Sequence, residues 1–123
     1  DVGVLASRDA NEVSILVWHY HDDDVSGPDA AVSVVIAGLP KTTAQARLEH
    51  LRVDDHHGNA YAEWLRMGSP VAPNAVQYEQ LERASELTAL RGSPERVAVI
   101  GGEATIDFEL PRQGVSLLLL RWD

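Results

Sequence analysis

Apolar and polar positions alternate along most of this chain with the two-residue period of a β-strand, and the pattern breaks once, between Arg52 and Pro70. Val2–Ser7 is a short apolar run that predicts a first strand, and Ser7–Asn11 carries turn chemistry. In Glu12–His21, Val13, Ile15 and Val17 share one face while Leu16, Trp18 and Tyr20 share the other, which predicts a central strand covered on both sides, with Trp18 and Tyr20 in the core. Three adjacent carboxylates in Asp22–Asp29 mark a solvated turn. Ala31–Ala37 predicts a strand stopped by Gly38-Leu-Pro40. Ala44–Asp54 reads as a long strand with a slip of phase, since Ala46 and Leu48 are even and Leu51 and Val53 odd; a bulge near Glu49-His50 would reconcile the halves.

The interruption has helical period. Asn59 is a good N-cap, Tyr61, Trp64 and Leu65 follow at i, i+3 and i+4, and Gly68 and Pro70 end the segment. Asn74 with Gln77 three residues on predicts a capping box for a second helix, lined by Tyr78, Leu81 and Ala84. Strand signals return in Arg96–Ile100, Glu103–Leu110 and Val115–Trp122, joined by turns at Gly101-Gly102 and Pro111–Gly114. Val115–Trp122 is apolar on both faces and is expected to be buried on both sides. The reading is mainly β: an antiparallel β-sandwich of about seven strands, a single domain over residues 1–123, with a two-helix insertion at about 59–91.

Composition narrows the partners. A length of 123 residues suits one domain, and 45% hydrophobic residues suffice for a core. A net charge of −9 argues against nucleic acid and anionic membranes, whose phosphates it would repel. No cysteine is present, so no disulfide staples the fold and the compartment stays open. No apolar run reaches a membrane span. Strand-like sequence begins at Asp1, as expected of a segment of a longer protein.

Candidate chemistry is sparse. His19-Tyr-His21, followed by Asp22–Asp24, places two histidines on one strand face, as a metal site would, but it equally ends a strand and caps an acidic turn. His56-His57 would add ligands only if the fold brought them near, and no metal or cofactor is assigned. Asn11-Glu12 resembles the Asn-Glu pair that ends a strand in many sugar-cleaving barrels, yet here it opens a strand and Val13 follows. Ser116 lies in an apolar strand and reads as a core serine, and Gly101-Gly102 as a turn rather than a phosphate loop. The aromatics suit sugar stacking as well as packing; on the short helix, Tyr61 and Trp64 suit a domain interface.

Three stretches together resemble the C-terminal β-sandwich of glycoside hydrolase family 39 β-xylosidases. They are Ala6–Asp9 with Val17–Asp23; Arg52–His57 with Asn59-Ala-Tyr61, Trp64 and Met67–Pro70; and Leu110–Leu117. Gly58 departs from the serine usual in similar proteins. The resemblance implies a retaining exo-glycosidase acting on short β-xylosides, whose two catalytic glutamates lie on a preceding (β/α)8 barrel. A barrel needs roughly 250 residues, so no catalytic residue is assigned here. It also implies a sandwich packed on that barrel, with His57, Asn59, Tyr61, Trp64 and Arg66 as interface or active-site-rim candidates. A strand borrowed from before the barrel would leave an unpaired edge.

The expected function is therefore a non-catalytic accessory domain whose partner is the catalytic barrel of the same protein, with homo-oligomer contacts as a second use of the surface. Xyloside substrate would be met only through the barrel. The rival reading is an independent carbohydrate-binding module for xylo-oligosaccharides; a protein-interaction sandwich of other descent is the third.

Overall fold

A computed structural model describes all of residues 1–123. Its elements are β1 (Val2–Arg8), β2 (Glu12–His19), β3 (Ala30–Ile36), β4 (Gln45–Val53), α1 (Ala60–Arg66), α2 (Ala75–Ala84), β5 (Thr88–Ala89), β6 (Glu95–Ala98), β7 (Ala104–Leu110) and β8 (Val115–Arg121). They form two antiparallel sheets. The larger runs β1-β2-β8-β4, and its far edge is shared: β6 pairs with Gln45–Leu48 and β5 with Leu51–Arg52. The smaller sheet is β3 with β7. Turns that look like hairpins in the sequence carry the chain between layers, because β7 and β8 flank the Pro111–Gly114 turn but lie in different sheets.

The core fills the space between the sheets. Val13, Ile15 and Val17 of β2, Leu118 and Leu120 of β8, and Ala46 and Leu48 of β4 face Ile36 of β3 and Ala104, Ile106 and Leu110 of β7. Each fully buried leucine here contributes roughly 1.5–3 kcal/mol by leaving water. The turn at Gly101-Gly102 has φ of 60° and 79°, and the Gly102 carbonyl accepts from the Leu39 amide at 2.9 Å. A Cβ at Gly102 would stand 2.7 Å from the Leu39 carbonyl oxygen, so both conformation and space require glycine.

Two expectations are corrected. Strands β2 and β8 are not covered on both sides. Their inner faces are buried, but Leu16, Trp18, Leu117 and Leu119 on the outer face are only half-buried, and Tyr20, expected in the core, is 57% exposed. Alternation reports which residues share a face, not what lies over it. The bulge near Glu49-His50 is absent: β4 pairs with β8 without a break from Arg47↔Arg121 to Val53↔Val115. Its phase never slips; the inward positions change instead from apolar (Ala46, Leu48) to polar (His50, Arg52, Asp54), all buried. Eight strands are present because the two-residue β5 patches the edge of β4, a pairing too short to show as periodicity.

Candidate functional site

The excursion between β4 and β5 begins at a buried polar chain on the inner face of the large sheet. Ser116 Oγ accepts from Arg52 Nε at 2.8 Å and lies 2.7 Å from His50 Nε2. Arg52 Nη2 donates to the Glu109 carbonyl in the opposite sheet at 3.0 Å, and Nη1 lies 3.5 Å from the Asp54 carboxylate. Asp54 Oδ1 accepts from the His56 amide at 2.8 Å and sits 2.7 Å from His57 Nδ1. One run of side chains thus ties both sheets to the loop that launches the helices.

Electrostatics fixes the protonation states along it. Burial, aided by the Arg52 guanidinium, holds His50 down at about 4. The imidazole is neutral at neutral pH, with its Nε2 hydrogen-bonded to Ser116 Oγ. For Asp54 burial pushes the pKa up, but the His56 and His57 hydrogen bonds and the nearby charges outweigh it, so the carboxyl ends below its ordinary value. Ser116 is wholly inaccessible, so its hydroxyl cannot reach a substrate. The Ser–His contact is architecture, not a nucleophile and base.

The five interface or rim candidates fall on this launched segment. His57 closes the loop against Asp54, with a 2.9 Å backbone bond from the Asp54 amide. Asn59 caps α1 by accepting from the Ala62 amide at 3.0 Å. Tyr61 and Trp64 stack with ring centroids 5.9 Å apart, and Trp64 Nε1 donates to the Pro70 carbonyl at 2.9 Å, folding the helix stop back on the helix. Arg66 donates to the Asp55 carbonyl, lies 3.2 Å from His56 Nδ1 and pairs with Glu63 at 3.4 Å. No residue of α1 or α2 is buried, and Tyr61 is 67% exposed. The second helix has its full capping box, Asn74 with Gln77.

The other candidates stay apart from this segment. His19 Nδ1 donates to the Leu110 carbonyl at 3.0 Å, which leaves its Nε2 to accept from His21 Nε2–H at 2.9 Å. The pair satisfies itself, and no third His, Asp or Glu completes a metal-ligand group with it or with His56 and His57. Glu12 accepts from Arg121 Nε, and this bond, with the Arg121 charge and against the opposing effect of desolvation, lowers its pKa, so it is held ionised as an ion-pair partner.

Sequence reasoning missed two features. One is the His50–Ser116–Arg52–Asp54 chain; its trace is His-x-Arg-x-Asp at alternate positions of one strand. The other is the outer face of the large sheet. There the register aligns Leu5, Leu16, Leu117 and Leu51 across four strands, and Trp18, Val115 and Val53 beside them. Leu5 is 66% exposed and Val53 36%, with the rest half-buried.

The family model for glycosyl hydrolases family 39 matches residues 1–98, and the chain belongs to that family. A β-xylosidase of Caldicellulosiruptor saccharolyticus is 31% identical over 96% of this chain and 23% of its own length. An α-L-iduronidase of Canis lupus familiaris is 29% identical over 97% of this chain and 18% of its own. Among solved structures, a family 39 enzyme from Xanthomonas axonopodis pv. citri superposes with a TM-score of 0.81 at 21% identity, over 96% of this chain and 25% of that one. A bacterial orthologue of human α-L-iduronidase gives 0.80 at 25% identity, over 99% and 22%. The chain thus spans about a quarter or less of the length of the relatives it matches.

Proposed function

We propose that this chain is the non-catalytic sandwich of a β-xylosidase-like glycoside hydrolase, lying on a preceding (β/α)8 barrel with its helical excursion toward the active-site rim. The observation that carries the proposal is the partly exposed apolar row Leu5–Leu16–Leu117–Leu51. A sheet face of this kind belongs against another apolar surface. The unburied α1–α2 pair supports the same reading, as does the small sheet: β3 pairs on one side only and its seven residues carry no charge or proline, so its other edge lacks the usual protection against pairing. That edge suits a strand contributed from elsewhere in the protein. Nearness to the β-xylosidase at 31% identity favours a xyloside substrate, bound by the barrel.

The test compares the 123-residue chain with the polypeptide that includes the preceding sequence. Hydroxyl-radical footprinting should label Leu16, Trp18 and Leu117 strongly in the chain alone and several-fold less in the longer protein. The chain alone should be inert toward an aryl β-xyloside. Equal labelling in both would end the docking reading, and hydrolysis by the chain alone would end the non-catalytic one. The exposed Tyr61 beside Trp64 favours a second reading, a xylo-oligosaccharide module. Quenching of Trp64 fluorescence by xylo-oligosaccharides in the chain alone, lost in Tyr61→Ala, would support it.

A further inference from the structure

The outer face of the large sheet ends in a row of charges. Glu12 of β2 is the direct partner of Arg121 on β8, Arg121 of Arg47 on β4, and Arg47 of Arg96 on β6. Strand parity puts all four side chains on the same face as Leu16 and Leu117. Three arginines therefore stand directly opposite one another across three strands, an arrangement in which like charges repel. Cations are scarce here: the whole chain has 10 Lys and Arg against 19 Asp and Glu. Yet the acids neutralise only its Arg121 end. Arg121 is paired with Glu12 and lies 4.0 Å from Glu49. Arg96 reaches only the neutral Gln45 Oε1, at 3.2 Å. Arg47 makes no side-chain hydrogen bond or ion pair. Beside the row opens a cavity of about 590 Å³, lined among others by Arg47, Arg96, Arg121, Gln45, Glu95 and Asp123, and neither of these two acids pairs with any of the three arginines.

We infer that the Arg96–Arg47–Arg121 row is a docking site for carboxylates on the surface of the partner domain, an inference that rests on the docking reading above. Guanidinium forks take carboxylates two bonds at a time, and a row of them reads a line of Asp or Glu side chains such as one helix face presents. A protein surface fits better than a free anion. The cavity is open, the Arg121 side chain is 53% exposed, and the charged row adjoins the apolar row across one intervening set of residues, Ser14, Leu119 and Glu49. The apolar row then supplies burial and the arginines fix the register of the contact, with their mutual repulsion relieved on docking.

The test uses the longer polypeptide carrying Arg47→Lys, which keeps the charge and adds an amine that a zero-length carbodiimide couples to a touching carboxylate. Peptide mapping should find an amide bond from position 47 to an Asp or Glu outside residues 1–123 of the same polypeptide. Its yield should fall several-fold at about 1 M salt, where charges are screened beyond roughly 3 Å. Bonds only to acids within residues 1–123, such as Glu12, Glu49, Glu95 or Asp123, bonds to a second copy in an isotope-mixed sample, or no bond at all would overturn the inference. Footprinting of Leu117 in the same sample separates the two readings. Protection without the amide bond removes only the arginine site, whereas no protection removes the docking surface as well.

Discussion

Replacing Arg52 by methionine tests whether the buried polar chain holds the two sheets and the excursion together. Arg52 is 5% exposed, so solvent does not screen its contacts. The substitution removes the 2.8 Å bond to Ser116 and the 3.0 Å bond to Glu109 across the sheets, and weakens nothing else directly except the longer Asp54 contact. Two hydrogen bonds from a charged donor are worth about 1.5–3 kcal/mol each. Methionine regains some apolar contact, but the Glu109 carbonyl loses its donor and the buried Asp54 keeps only His57 and the His56 amide. The expected loss is about 3–5 kcal/mol, the range for breaking one half of a buried pair. In urea unfolding followed by tryptophan fluorescence, a slope of about 2 kcal/mol/M turns this into a midpoint lower by about 1.5–2.5 M, with the slope unchanged. Arg52→Lys keeps the charge but not the fork, and should fall between. A loss below about 1 kcal/mol in Arg52→Met would show that the chain is incidental to the fold.

Acid should weaken the fold through His50 before it does so through carboxylates. His50 is held at about 4 when folded against an ordinary 6.5, so the unfolded chain binds its proton more readily between those values. Stability is then complete above about pH 6.5 and falls toward pH 4 by up to about 3 kcal/mol, with Asp54, also lowered, adding a further loss below its ordinary 3.8. Urea midpoints from pH 7.5 to 4.5 should show this slope, and His50→Gln should flatten it; an equal slope in both would refute the assignment. Gly102→Ala should cost about 1–3 kcal/mol in the same assay, from its positive φ and the clash with Leu39, whereas Gly38→Ala, with φ 77° and open space, should cost about 1 kcal/mol; equal losses would refute the clash.

Local chemistry was legible wherever it acts over a few residues. The Asn59 cap, the Asn74–Gln77 capping box and the Gly101-Gly102 turn were read directly, because each is a bond or a dihedral preference between near neighbours. Strand periodicity was equally legible, and with it the mainly β sandwich. The interface or rim candidates, His57 to Arg66, share one segment because they lie close together in sequence, but the run of side chains that anchors that segment was not legible. Its partners, His50, Arg52, Asp54, Ser116 and Glu109, come from three strands, and their inward polar side chains imitate a change of phase.

By itself the amino-acid order determined which residues form strands and helices, where those elements stop, and that the whole is acidic and without disulfides. Only the tertiary arrangement decided what lies over each face. The leucines of β8 look alike in sequence, yet Leu118 and Leu120 are fully buried while Leu117 and Leu119, on the outer face, are only half-buried. Likewise the three arginines, at positions 47, 96 and 121, become one charged row only through strand register. The physical reason is the same in both cases. Alternation is a property of one strand, whereas burial and charge pairing are properties of neighbours brought together from distant parts of the chain.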